Sequence, residues 1–296
     1  MVQINNMNSL NNEYKQWLTI LGFANSSVNS FPSYVNELLK HTANTTLTAQ
    51  SIYNYFEQFK QRNNKTRSGG ISANHVNKGV VAINNFIKFL NVTNKAIINL
   101  KLQKVKTNNK SPEVYTTQEI QQLYEATFNI NINNKRLNKK AYQERDRAML
   151  AVYYGCGLRK NEGNNLIIDD VHFNTKLLYV SKGKGSKERH VPIAEHGMQD
   201  IETYINYGRN YFLKTIDNKE TSLFINKDGK PMRSFSNRLE LLREEANILK
   251  PLSLHTLRHS IATHLLQNGM DLEHIKKFLG HSSLESTQIY THIINE

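Results

Sequence analysis

At 296 residues and 34.2 kDa, the chain is long enough for about two domains that each bury a core of their own. Its composition, 39% hydrophobic and 21% charged with 14 Gly and 5 Pro, excludes both a disordered tail and a collagen-like fibre. The formal charge of +13 favours a polyanionic partner, either nucleic acid or an acidic membrane surface.

Cellular location is also constrained by composition. The single cysteine, Cys156, excludes an intrachain disulfide and a zinc ribbon, and is typical of a reducing compartment. No apolar run approaches the roughly 18 residues of a membrane span, and residues 1–10 lack the pattern of a secretion signal. We therefore expect a cytoplasmic protein.

The first third of the chain is strongly basic and reads as helical. Residues 1–110 contain 13 Lys and Arg against 3 Glu, a net charge of +10, whereas the remaining 186 residues carry +3. Apolar side chains recur at helical spacing within residues 13–23, 34–39, 52–59 and 73–90. This pattern predicts a compact basic bundle of four or five helices.

A linker is expected after this bundle. Residues 101–112 combine four lysines and a proline with little to bury, the composition of a solvated connection. We place a helical domain at 1–105, a linker at 106–115 and a second domain at 116–296.

The second domain mixes helices with a few strands. A capped helix is expected from Thr116, and an apolar helix over 145–154. Two β-favouring runs, 177–180 and 189–193, flank a Gly-rich basic loop and predict a hairpin. The fold class is therefore mainly α with a small β-sheet, an all-helical first domain and a mixed α+β second domain.

Four polar clusters interrupt the apolar pattern of this second domain: 157–162, 183–189, 255–259, and 279–281 with Tyr290. Each has an ordinary explanation when taken alone. Arg159 and Glu162 are three residues apart and suit a surface ion pair, and Lys184 suits a solvated loop.

The pair His255 and His259 has the spacing of a zinc site. However, Thr256 stands where the metalloprotease motif needs Glu, and the permanent cation Arg258 lies between the two histidines. An anion suits this cluster better than a metal.

Together the clusters supply two arginines, a lysine, two histidines and a tyrosine. These are the groups that phosphodiester transfer to a protein hydroxyl needs: guanidinium groups for the phosphate oxygens, a proton donor and a nucleophile. The chain resembles the tyrosine recombinases, also called phage integrases, in the style of two-domain, Xer-like members. The matching blocks are GCGLRKNE at 155–162, VSKGKGSKERHVPI at 180–193, HTLRHSIATHLL at 255–266 and LGHSSLESTQIYTH at 279–292.

The resemblance implies that Tyr290 is the nucleophile, which forms a 3'-phosphotyrosine bond with DNA and releases a 5'-hydroxyl. Arg159 and Arg258 would bind the scissile phosphate, and His281 would add a hydrogen bond to it. Because the ester conserves the bond energy, no cofactor, metal or ATP is expected.

Proton transfer is assigned in the same way. Lys184 would be the general acid that protonates the leaving 5'-oxygen, with Lys182 and Lys187 as alternatives. His255 would assist proton transfer at the tyrosine, and Glu162 would support Arg159.

By the same resemblance, residues 1–105 form a core-binding domain, which closes a clamp on duplex DNA with the catalytic domain. The partners implied are two double-stranded DNA recombination sites and a homotetramer, alone or with a second recombinase, with exchange through a Holliday junction and a nucleoid location. The family usually docks a C-terminal segment on a neighbour, whereas this sequence has six residues after Tyr290, which leaves the assembly mode open. Residues 163–165, Gly-Asn-Asn, stand where the family often has apolar residues, which is a lesser departure from its pattern.

Two rival functions remain from the sequence alone. A type IB topoisomerase-like relaxer uses a similar site, and a catalytically silent DNA-binding regulator could keep the fold. Competent residues at all six positions argue against the second.

Overall fold

The computed structural model describes residues 7–42, 46–64, 68–107, 112–129, 138–181, 188–213 and 219–294. The chain separates into two compact units, Met1–Asn109 and Lys110–Glu296. In the described part of the chain, no helix is both long and apolar enough to cross a membrane.

The first unit contains four helices in its described residues: α1 (Met7–Ile20), α2 (Asn25–His41), α3 (Ala49–Lys60) and α4 (Ala73–Val92). Their apolar faces meet in a core of aromatic and aliphatic side chains, in which Tyr14, Leu38 and Phe86 are fully buried. Capping hydroxyls of Thr48 and Ser72 begin α3 and α4. The predicted helical bundle is confirmed.

Three asparagines on α4 fasten the segment that follows it. Asn77, Asn84 and Asn91 are seven residues apart and therefore share one face of the helix. Each side-chain amide both donates to and accepts from one backbone residue, at 2.8 to 3.0 Å; the partners are Val105, Leu102 and Ile98, respectively. Leu102 is buried, so this stretch belongs to the first unit and is not a solvated linker.

We expect Asn84→Ala to lower the free energy of unfolding of the first unit by about 1–3 kcal/mol, because both polar groups of the Leu102 backbone lose their partner. The matched control is Asn85→Ala, since the Asn85 amide bonds only within its own helix, to the Val81 carbonyl. Urea unfolding followed by fluorescence of Trp17, the single tryptophan, reports on this unit. Equal urea midpoints for the two variants would show that the hydrogen bonds between Asn84 and the Leu102 backbone do not stabilise this unit.

The second unit is helical around a small sheet. Its described helices are α5 (Thr117–Asn129), α6 (Lys139–Leu150), α7 (Lys160–Asn164), α8 (Glu195–Thr203), α9 (Arg209–Leu213), α10 (Ser236–Glu245), α11 (Leu254–Gln267), α12 (Leu272–Leu279) and α13 (Glu285–Ile294). The sheet is antiparallel in the order β1 (Val171–His172), β2 (Leu177–Val180), β3 (Arg189–Pro192). This confirms the predicted hairpin, to which β1 adds a third strand, and the predicted fold class.

Two local features differ from the sequence expectations. Tyr115, which was assigned to the linker, is fully buried in the second unit; its hydroxyl donates to the Lys250 carbonyl and its amide to Ser260 Oγ. The expected helix over 145–154 is α6 followed by a turn of π-helix, Ala151–Gly155. π-turns are rare and frequently adjoin functional sites.

Candidate active site

Helix α11 carries three ionisable side chains close together: His255, Arg258 and His259. Its start is determined by a capping box, in which the Ser253 hydroxyl accepts from the Thr256 amide and the Thr256 hydroxyl accepts from the Ser253 amide. Because adjacent residues point in different directions on a helix, Arg258 and His259 face different neighbours.

Arg258 is buried, with 4% of its side chain exposed. Its guanidinium donates to the carbonyl oxygens of Gly157 and Leu279, which fix its orientation. Burial, then the neighbouring charge of Arg159, lowers the pKa of Arg258 to about 10, so it remains a cation at neutral pH. The structure thus holds a rigid, desolvated positive charge in place.

Arg159 immediately precedes α7 and is the more accessible of the two, with 34% of its side chain exposed. Its Nη1 donates to Glu162 Oε1 at 2.8 Å and its Nη2 to the Gly280 carbonyl at 2.9 Å. One edge of the guanidinium is therefore held by the protein while part of the group stays open to an anion.

Glu162 is the common counter-ion of three arginines. Besides Arg159, it accepts from Arg189 Nη1 at 3.2 Å and Nη2 at 3.0 Å, and its Oε2 lies 3.9 Å from Arg258 Nη1. Burial alone would raise the pKa of Glu162, but the hydrogen bonds and charge of Arg189, with those of Arg159, lower it to about 2. The carboxylate is ionised and holds the cations together.

The turn after α12, formed by Gly280 and His281, lies on one side of this site. Gly280 ends that helix in the left-handed conformation at φ +65°, the usual place for a glycine. The next residue, His281, has its Nδ1 2.8 Å from the Thr287 hydroxyl. Burial, then the nearby arginine charges, lowers the pKa of His281 to about 4, so the ring is neutral at pH 7 and able to donate one hydrogen bond.

Tyr290 on α13 completes the arrangement. Only 1% of the residue is exposed, its ring lies parallel to that of His281 with centroids 6.4 Å apart, and its hydroxyl oxygen is 3.0 Å from His259 Nδ1. Burial raises the pKa of Tyr290, and the positive charges of Arg258 and Arg159 counteract that rise. The phenol is protonated at rest and lies in the field of both cations.

This set of groups suits a phosphate better than a metal. Among the described residues, no three His, Cys, Asp or Glu side chains are grouped to hold a metal ion. Beside the turn after α12 lies a cleft of about 470 Å³, to which Arg189, Lys276 and Lys277 contribute cationic side chains. Of the site groups described above, His281 also lines this cleft. Guanidinium groups, a neutral histidine and a phenol are together suited to an anionic phosphodiester.

Residues 113–296, more than half of the sequence, match the phage integrase family. The chain belongs to this family. The chain is 28% identical to the tyrosine recombinase XerD of Halalkalibacterium halodurans, in an alignment that covers 97% of this chain and 95% of that XerD. The XerD of Oceanobacillus iheyensis is 34% identical over 76% of this chain and 73% of its own.

The fold of this integrase family member is also that of solved recombinases. A XerH site-specific recombinase, crystallised with a palindromic difH substrate after cleavage, superposes with a TM-score of 0.71 at 21% identity, covering 90% of this chain and 76% of its own. With relatives of this kind along nearly its whole length, the protein is a site-specific recombinase enzyme. Neither rival function, a topoisomerase or a silent regulator, gains support from these relatives.

Four of the six expected catalytic residues converge in the integrase site: Arg159, Arg258, His281 and Tyr290. His255 lies on the first turn of α11 with an exposed side chain. Lys184 falls outside the described residues, as do its alternatives Lys182 and Lys187. The catalytic roles of all six remain predictions.

Two further residues were missed by sequence reasoning. Arg189, at the start of β3, is bound to Glu162 by two nitrogens and donates from Nε to the Phe278 carbonyl at 3.0 Å. His259, considered only as a metal ligand, contacts the Tyr290 hydroxyl. Both lie inside the matching sequence blocks, but nothing in their spacing shows which neighbour each side chain faces.

Gly280→Ala is expected to lower the rate of DNA cleavage by more than the accompanying loss of stability explains. A methyl group there would lie 2.8 Å from Arg189 Nη1, so the arginine must move away from Glu162. The left-handed backbone adds about 1–2 kcal/mol of strain. Single-turnover cleavage of a nicked duplex, with thermal unfolding of the same sample, separates the two effects.

Gly269→Ala is the matched control for this strain. Gly269 also has a positive φ, +84°, yet a methyl group there meets nothing within 4 Å. It should therefore lose stability while the protein keeps its cleavage rate. Equal cleavage defects in the two variants would mean that backbone strain, and not displacement of Arg189, is responsible.

Proposed function

We propose that this recombinase cleaves and rejoins DNA through a 3'-phosphotyrosine intermediate, with Tyr290 as nucleophile, and that four copies exchange strands between two double-stranded DNA sites through a Holliday junction. The observation that carries the proposal is the convergence of Tyr290 with Arg159 and Arg258, whose charges act on its hydroxyl. This chemistry would serve integration, excision or resolution of DNA. We also propose that the protein acts at the nucleoid, in the cytoplasm.

Each group in the site has a role in this chemistry. Arg258 and the open edge of Arg159 bind the non-bridging oxygens of the scissile phosphate and stabilise the charge that builds in the transition state. Neutral His281 donates a hydrogen bond to the same phosphate. Lys184 is proposed as the acid that protonates the leaving 5'-oxygen.

Binding of DNA is proposed to involve both units. The first unit, with its net charge of +10 over residues 1–110, gains affinity by releasing counterions from the DNA backbone. Contacts of this kind position the protein along the duplex without reading its sequence. We propose that this unit is the core-binding domain and residues 116–296 the catalytic domain.

The test is formation of a covalent adduct in EDTA. Nicked duplexes from DNA flanking the coding region are labelled at the 5' end of the cleaved strand, mixed with the full chain and run on a denaturing gel. A 3'-phosphotyrosine bond keeps this label on the protein, and the released fragment carries a 5'-hydroxyl that a kinase can phosphorylate. Peptide mass spectrometry then identifies the modified residue.

Three results would contradict the proposal. An adduct on the unlabelled downstream fragment, with the labelled fragment released as free DNA, would mean the other polarity, and an adduct abolished by EDTA would mean metal-dependent chemistry. An absence of adduct on duplexes that the protein demonstrably binds would mean that the tyrosine does not attack.

A further inference from the structure

The hydroxyl of Tyr290 has one partner in the part of the chain that the structure describes, His259. The Oη to Nδ1 distance is 3.0 Å, and the two ring centroids are 5.6 Å apart at an interplanar angle of 54°. His259 follows Arg258 directly on α11, so the helix that orients the phosphate-binding cation also orients this imidazole. The contact therefore links the reacting oxygen to the rigid part of the site.

Both groups of this hydrogen bond are neutral at pH 7. Burial, then the neighbouring charges of His255 and Arg258, lowers the pKa of His259 to about 4, which makes the imidazole neutral at pH 7. Burial raises the pKa of Tyr290, so the phenol keeps its proton. In the imidazole tautomer with its proton on Nε2, Nδ1 accepts from the phenol O–H, and this is the arrangement that the proposal below uses.

The other two histidines of the site lie in different positions. His281 Nδ1 is bound to the Thr287 hydroxyl, and His281 meets Tyr290 with its ring face. His255, which the family resemblance implied would assist proton transfer at the tyrosine, is exposed on the first turn of α11. Among these three, only His259 has a ring nitrogen within hydrogen-bond distance of the reacting hydroxyl.

We propose that His259 is the base that receives the Tyr290 proton during strand cleavage, an inference that rests on the proposed function. The bond between Tyr290 Oη and phosphorus forms as the phenolic proton passes to His259 Nδ1. The bond between phosphorus and the 5'-oxygen breaks, and that oxygen takes a proton from the general acid. In rejoining, the 5'-hydroxyl attacks phosphorus and gives its proton back to the deprotonated general acid. The bond between Tyr290 Oη and phosphorus breaks, and protonated His259 returns its proton to that oxygen.

A second tyrosine, Tyr154, pairs with another histidine of α11 and provides the comparison. Tyr154 Oη lies 2.9 Å from His264 Nδ1, nearly the same geometry. Burial raises the pKa of Tyr154, and no arginine acts on it as Arg258 and Arg159 act on Tyr290. The second pair therefore has the hydrogen bond without the phosphate-binding cations.

The first variant tested is His259→Asn, because an amide oxygen accepts a hydrogen bond from Tyr290 but does not take up its proton at neutral pH. We expect the single-turnover rate of adduct formation on nicked duplexes to fall by roughly 100-fold to 10,000-fold, the range for loss of a general base. His264→Asn, the matched control, should keep the wild-type rate. A wild-type rate in His259→Asn overturns the proposal.

A second measurement excludes a merely structural role. A DNA strand ending in a 3'-p-nitrophenyl phosphate is joined to a 5'-hydroxyl strand without Tyr290, and its leaving group needs no proton. We expect His259→Asn and Tyr290→Phe both to join this substrate at the wild-type rate. If His259→Asn is impaired equally in joining and in cleavage, the residue only maintains the fold of the site, and the proposal fails.

Failure of this inference differs from failure of the proposed function. If wild-type protein forms no adduct on bound DNA, the tyrosine chemistry itself is absent. If wild-type protein forms the adduct through Tyr290 and His259→Asn matches it, the proposed function stands and another group accepts the proton.

Discussion

Tyr290→Phe is expected to form no covalent adduct with a nicked duplex, while its affinity for that duplex stays nearly unchanged. The substitution removes the oxygen that we propose attacks phosphorus but leaves the ring in its buried position against His281. The arginines proposed to bind the phosphate keep their partners, because these are the Glu162 carboxylate and backbone carbonyl oxygens and not this hydroxyl. A denaturing gel measures the adduct, and fluorescence anisotropy of labelled DNA measures binding.

Tyr154→Phe is the matched control, since it removes a hydroxyl that is also bound to a histidine of α11. This variant should form the adduct as wild type does. An adduct in Tyr290→Phe would exclude this residue as the nucleophile. Loss of the adduct in both variants, with unfolding midpoints intact, would mean that the assay responds to packing around α11 and not to the nucleophile.

Glu162→Gln is expected to destabilise the second unit by about 3–5 kcal/mol, the usual cost of removing one partner from a buried ion pair. The carboxylate is 3% exposed, and its loss leaves Arg159, Arg189 and Arg258 without their shared counter-ion. The amide has nearly the same volume, so the effect is electrostatic and not a cavity. Thermal unfolding by circular dichroism measures it.

Two comparisons make this result specific. Glu240→Gln removes an exposed partner of Arg243 and should leave the unfolding midpoint nearly unchanged. Fluorescence of Trp17, in the first unit, should show an unchanged transition in both variants. A small effect of Glu162→Gln, equal to that of Glu240→Gln, would show that the three arginines are held by their carbonyl contacts alone.

The same carboxylate makes the stability depend on pH. The pKa of Glu162 is about 2 in the folded protein against 4.5 ordinarily, so its stabilising contribution is present above pH 4.5. That contribution is lost as the pH falls from 4.5 towards 2. The wild-type and Glu162→Gln proteins should therefore converge in stability as the medium is acidified through this window.

Local features of the fold follow from the sequence because local forces determine them. Helical spacing of apolar residues predicted α3 and α4, and alternation with a Gly-rich loop predicted the β2–β3 hairpin. The four residue blocks at fixed spacing also predicted the family to which the chain belongs.

The tertiary structure alone decided which side chains share a charge or a hydrogen bond. Glu162 joins arginines that are 27 and 96 residues further along the chain, Asn84 binds a backbone 18 residues away, and Tyr115 is buried against Ser260. His259, and not His255, reaches Tyr290, because that choice depends on where α13 packs against α11. Periodicity records only which face of each element is apolar; the direction and partner of a polar group depend on packing between distant elements.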